Sequence, residues 1–143
     1  MTDTNKVVQQ GMNTEQATVW FNSQVQRAGQ YLANQGVILE KVDQDKSTYV
    51  APLFSILKIR SKDRKRFWVI VGDLPTDFIP DSTAKTAREA LRHFALHWQL
   101  KAEQMIQAGI RDTVQRDYAQ LLVTKAQAIY PFVDNKSLWE KQS

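Results

Sequence analysis

Two segments of this chain are apolar on both faces of a strand, and that limits its fold more than any other feature. Residues 67–71 read Phe-Trp-Val-Ile-Val, five apolar residues in a row. The middle of 48–60, Thr-Tyr-Val-Ala-Pro-Leu-Phe-Ser-Ile-Leu-Lys-Ile-Arg, is nearly as apolar. A strand that buries one face alternates apolar and polar residues, whereas one that is apolar throughout needs cover on both faces. With 143 residues the chain fits one domain with a single core. Helices supply one cover. The other falls to a further helix, to the tail or to a second subunit.

The remaining elements follow from caps and periodicity. Residues 1–12 are polar and are expected to form a disordered N-terminal segment, with a single domain over 13–143. Asn13 with Gln16 three residues on spells a capping box. Ala17, Phe21, Val25, Ala28 and Leu32 then fall on one helical stripe, and Gly36 suits a left-handed helix exit. Residues 37–42 predict a first strand, and the turn-like 43–47, Asp-Gln-Asp-Lys-Ser, a hairpin. Residues 48–60 and 66–73 predict the second and third strands. Pro52 marks an edge, a bulge or a break in the second.

A helix is predicted over about 84–108, with Ala87, Leu91, Phe94, Ala95, Trp98, Ala102 and Met105 buried. Gly109 ends it, and Asp112 or Thr113 caps the next. That last helix is expected to bury Val114, Tyr118, Leu121, Leu122, Ile129 and Phe132, with Pro131 limiting its end. Leu138 and Trp139 suggest a docked tail. The order predicts an α+β domain in two layers: a three-stranded antiparallel meander with an N-terminal helix and two C-terminal helices on one face.

Composition narrows the function. Apolar residues at 43% and charged residues at 24% are globular usage. The absence of cysteine excludes disulfides, a thiol nucleophile and thiolate metal sites, and fits a reducing cytoplasm. No stretch has the apolar length of a membrane span, and the N-terminus shows no secretory pattern, so a cytoplasmic protein without a membrane partner is expected. The five glycines are scattered, so no phosphate-binding loop is visible and no cofactor is expected.

Three constellations could carry chemistry. In the loop Gly-Asp-Leu-Pro-Thr-Asp, Asp73, Thr76 and Asp77 could meet around a hard cation or serve as acid and base. Ordinary corner chemistry accounts for the same residues, because Asp and Thr beside proline bond their own backbone. Lys58, Arg60, Lys62, Arg64, Lys65 and Arg66 place six cations within nine positions, a candidate phosphate-binding hairpin beside Phe67 and Trp68. A charged hairpin tip also protects a sheet edge from aggregation. His93 and His97 share a helix face, but a zinc site needs more ligands than this pair supplies, and no metal is expected.

The stretch Trp-Val-Ile-Val-Gly-Asp-Leu-Pro-Thr-Asp-Phe-Ile, followed by Ala-Arg-Glu-Ala-Leu-Arg-His-Phe-Ala-Leu-His-Trp, resembles a bacterial family of single-domain proteins, domain of unknown function four-eight-two-six. Trp20, Arg27, Tyr31, Leu32, the exit Gln35-Gly36-Val37 and Thr-Tyr-Val-Ala-Pro at 48–52 agree with it. The resemblance spans about residues 17–106. It departs at Phe21, where the family carries cysteine, and at Thr86 and Ala87, where the family has a proline before the Arg-Glu pair. The basic tip is not part of the family pattern. The resemblance implies a fold and brings no activity. The expected function is a non-enzymatic binding or interaction module. It would self-associate through the uncovered sheet face or through Leu96 and Leu100, with another protein as an alternative partner. A nucleic-acid-binding module built on 58–66 and a metal-dependent enzyme built on the 72–81 loop are the alternatives.

Overall fold

The computed structural model describes residues 6–8 and 12–139. The elements run β1 (Lys6–Val8), α1 (Thr14–Asn34), β2 (Leu39–Ala51), β3 (Phe54–Ser61), β4 (Arg66–Gly72), β5 (Asp77–Pro80), a 3-10 turn (Asp81–Thr83), α2 (Ala87–Ala108), α3 (Thr113–Asp134) and α4 (Lys136–Trp139). The α+β class stands, with an N-terminal helix, an antiparallel sheet and two long C-terminal helices. The sheet is wider than three strands. It has the order β1-β2-β3-β4-β5, in which β2 to β5 pair antiparallel and β1 lies parallel to β2. The added antiparallel strand, β5, comes from the end of the Gly-Asp-Leu-Pro-Thr-Asp loop. Of the segment 1–12, residues 1–5 and 9–11 lie outside the described residues, as does the tail 140–143.

Side chains of the central strands alternate between two separate cores. Phe54, Ile56, Trp68 and Ile70 pack with Leu91, Phe94, Trp98, Leu122 and Ile129 of α2 and α3. Leu57, Ile59, Val69 and Val71 pack with Ala28 and Leu32 of α1. The sheet therefore lies between α1 on one face and α2 with α3 on the other. The two-layer expectation is corrected to three layers, and both faces of the central strands are covered from within the chain. A strand apolar at every position requires this, and α1 provides it.

The hairpin expected at 43–47 is absent. β2 runs straight through it, with a register shift between Asp43 and Thr48. Turn-forming residues are accommodated here as a bulge. The Ser47 hydroxyl donates to the Asp43 carbonyl (2.7 Å) and accepts from the Lys58 amide (2.9 Å), replacing a ladder bond with a side chain. The true reversal lies at Pro52, where the Ala51-Pro52 bond is cis and the Leu53 amide donates to the Val50 carbonyl (2.7 Å). Proline has no donor to give to a ladder, and here it breaks the segment into two strands.

Helix ends follow their caps. Asn13 and Gln16 form the capping box, Thr86 and Asp112 accept from the Glu89 and Gln115 amides, and Gly36 and Gly109 take positive φ. The α3 stripe differs from expectation. Ala119, Leu122, Ala126, Ile129 and Val133 are buried, while Val114 is 77% exposed and Tyr118 and Leu121 also face outward. Pro131 sits inside the last turns of α3 and does not end it. The tail docks: Leu138 is buried, and the Trp139 indole donates to the Phe132 carbonyl (2.8 Å).

Candidate functional site

The corner between β4 and β5 is built against the Pro52 turn. The Asp73 amide donates to the Leu53 carbonyl (2.8 Å), and Gly72, at φ +152°, leaves no space between the two turns. From α1, Arg27 donates to the Gly72 carbonyl (3.2 Å) and Tyr31 meets Phe78 edge-on. Trp20 does the same with Tyr49 of β2. The two aspartates are held by different partners. Asp77 accepts from the Phe78 amide (2.8 Å) and, through its other oxygen, from the Trp98 indole of α2 (3.2 Å). Asp73 is 82% exposed and lies 3.7 Å from the Lys125 ammonium of α3. Thr76 between them is half-buried. Burial and the Asp77 carboxylate, followed by Tyr118, push the Tyr31 phenol above the ordinary tyrosine range. What is seen at this corner is turn-forming and tethering chemistry.

The basic hairpin is the tip of β3 and β4. Two open clefts lie against it. One, of about 570 Å³, is lined by Lys41, Lys46, Lys58, Arg60 and Arg66, with Asp43 and Asp45 also present. The other, of about 680 Å³, is lined by Arg60, Arg64, Lys65, Arg66, Phe67 and Pro80, with Asp81. Three of the six cations have acidic partners. Lys58 lies 3.5 Å from Asp81 and over the Trp68 ring, Arg60 is 3.0 Å from Glu40, and Lys65 is 3.8 Å from Asp63. The Ser61 hydroxyl and the Lys65 ammonium hold the Asp63 carboxyl below the usual carboxylate range. Among the described residues, Lys62, Arg64 and Arg66 make no ion pair. Of the two aromatic residues, Trp68 is buried with its indole donating to the Ala84 carbonyl (2.8 Å), whereas Phe67 is half-buried, packing edge-on against Phe78 while lining the second cleft. Base stacking, one of the sequence expectations, is left with Phe67 alone, because Trp68 is 1% exposed.

His93 and His97 stack face to face along α2, with ring centroids 6.1 Å apart. Among the described residues no three histidine or carboxylate side chains gather in a metal-binding group. On the same outer side of α2, Leu96 and Leu100 are 50% and 53% exposed.

Lys41 and Lys46 are absent from the sequence expectation. Pairing register brings in Lys41, which stands opposite Arg60, and the bulge between Asp43 and Thr48 brings Lys46 to the same cleft. A hairpin drawn at 43–47 hides that register, whereas one drawn at Pro52 would have exposed it.

These features define a small three-layer α+β domain with a cation-lined end and an aspartate-braced corner. Its residues 14–139 match the family described as a domain of unknown function (DUF4826), and the chain belongs to that family. No curated protein and no solved structure matches it.

Proposed function

We propose that this protein is a non-enzymatic module that binds nucleic acid through its phosphates at the β3–β4 hairpin. The observation that supports this is the pair of open clefts on that hairpin, lined by Lys41, Lys46, Lys58, Arg60, Arg64, Lys65 and Arg66. Cations without acidic partners are free to replace the counterions of a phosphate backbone, and their release makes binding steeply salt-dependent. With Trp68 buried and Phe67 the one aromatic residue lining these clefts, recognition is chiefly by charge and indifferent to base sequence. A cytoplasmic setting, in a bacterium, belongs to the same proposal, and a cysteine-free chain suits it.

Fluorescence anisotropy of a labelled oligonucleotide over a salt series tests this. Binding is expected at low salt. Arg64→Ala with Arg66→Ala should flatten the plot of log affinity against log salt by about one unit for each phosphate-binding cation removed. No binding at low salt ends the proposal.

Self-association is the second reading. Its sheet-face ground is gone, because α1 covers that face, but Leu96 and Leu100 remain exposed one turn apart on α2. Light scattering on the wild type and on Leu96→Lys with Leu100→Lys decides it. A wild type that stays monomeric at high micromolar concentration removes it.

A further inference from the structure

A separate cleft of about 390 Å³ opens where α2 begins, lined by Asp45, Lys46, Thr48, Trp68, Lys85, Thr86, Ala87, Arg88 and, from the tail, Trp139. The residues that matter are Thr48, Lys46, Lys85 and Arg88, with the first backbone amides of the helix. Thr48 is fully buried, and its Oγ1 has no hydrogen-bond partner among the described residues. A buried hydroxyl left this way is a net cost to the fold, and one lining a cleft has a donor ready for a ligand. The start of a 22-residue helix supplies the second feature. Thr86 caps the Glu89 amide (3.2 Å) and Glu89 turns back to the Lys85 amide (2.8 Å). The amides of Ala87 and Arg88, in the first turn, have no intrahelical acceptor and carry the positive end of the helix dipole. Arg88 is fixed in place by its Nε donating to the Val133 carbonyl (2.8 Å), which leaves its other guanidinium donors available.

Three cations therefore converge on a helix start beside an unused hydroxyl, with Asp45 the one carboxylate among the lining residues. We propose that this cleft binds a phosphate monoester. A dianionic phosphoryl group, with three terminal oxygens, suits this set of cations, amides and one hydroxyl better than the monoanionic diester of a nucleic-acid backbone. Trp139, half-buried, lines the same cleft, so a planar group on the ester has an apolar surface to rest against. The volume falls in the range of about 300–1,000 Å³ typical of small-ligand sites. The site is independent of the hairpin reading, apart from Asp45 and Lys46, which line both clefts.

The test is a titration of the full chain with inorganic phosphate, phenyl phosphate and AMP, followed by amide chemical shifts and by calorimetry. Saturable binding is expected, with the largest shifts at Thr48, Ala87 and Arg88, and tighter binding of the two aromatic esters than of phosphate. Lys85→Ala and Thr48→Val should each weaken it about tenfold. Arg64→Ala with Arg66→Ala, outside this cleft, should leave it unchanged. If none of the three probes saturates, or if the shifts lie elsewhere, the proposal is overturned. It is equally overturned if Lys85→Ala and Thr48→Val bind as the wild type does. An oligonucleotide that binds while all three monoesters fail sinks this site and leaves the hairpin reading standing; the reverse pattern does the opposite.

Discussion

Gly72 has no room for a methyl group. A Cβ there would run into the Leu53 carbonyl oxygen and the Phe54 backbone, at a φ of +152° that side chains rarely adopt. Backbone atoms cannot swing aside, so Gly72→Ala is expected to cost at least about 1–3 kcal/mol in urea unfolding. Gly29, in the middle of α1, has nothing within 4 Å of the same added atom. Gly29→Ala should stabilise by about 0.5–1 kcal/mol, and the opposite signs separate crowding from helix propensity. The corner aspartates divide the same way. Asp77→Ala removes the acceptor of the buried Trp98 indole and of the Phe78 amide and should cost about 1–3 kcal/mol. Asp73→Ala, at an exposed ion pair, should fall within about 0.5 kcal/mol. Equal costs would show that the two carboxylates act together after all. Single residues were largely legible in the sequence where their task is local. Asn13 with Gln16, Gly36, Gly109 and Asp112 cap within four residues of themselves, and each does so. Thr48 was not legible, because its burial depends on helices that come later in the chain.

At the scale of elements, α3 shows where periodicity misleads. Its large apolar residues suggested one stripe, and its alanines mark another. Ala95 and Ala102 of α2 and Ala119 and Ala126 of α3 are all buried in the core that these two helices share. Small side chains let two helices approach closely, and a stripe weighted by size overlooks them. Ala126→Leu is expected to overpack this seam and cost about 1–3 kcal/mol in thermal melts. Leu121→Gln, on the outward side, should change stability by less than about 0.5 kcal/mol. A harmless Ala126→Leu would mean that the helices can separate to admit it. β2 misled in a different way. Residues 43–47 have the composition of a turn because a bulge asks for the same local hydrogen bonds as a turn. Composition cannot separate the two; the cross-strand bond from Lys58 to Ser47 does.

For the whole molecule, the sequence carried the requirement for two covers but not the assignment of α1 as the second. Nothing within α1 records which side of a sheet formed later it will occupy. That placement leaves Tyr31 of α1 beside Phe78 and within the field of Asp77. Burial and that carboxylate both favour the neutral phenol, so its pKa is higher folded than unfolded. The unfolded chain loses this proton first, near pH 10, so the contribution is intact below that pH and is lost as pH rises through the folded value. Melting temperatures above about pH 10 should therefore fall more steeply for the wild type than for Tyr31→Phe, and parallel curves would remove Tyr31 from the alkaline limit. The strand order has a consequence in time. β2 to β5 lie side by side in the order in which they occur in the chain, and α2 follows directly into α3. Each of these pairings closes only a short loop, which is the arrangement that folds fast. One pairing spans α1: Lys6, Val7 and Val8 find Tyr49, Val50 and Ala51. The strand that leads the sheet in sequence is thus the one separated from its partner by the longest stretch of chain, and in a chain emerging from the ribosome the whole of α1 is made before that partner appears.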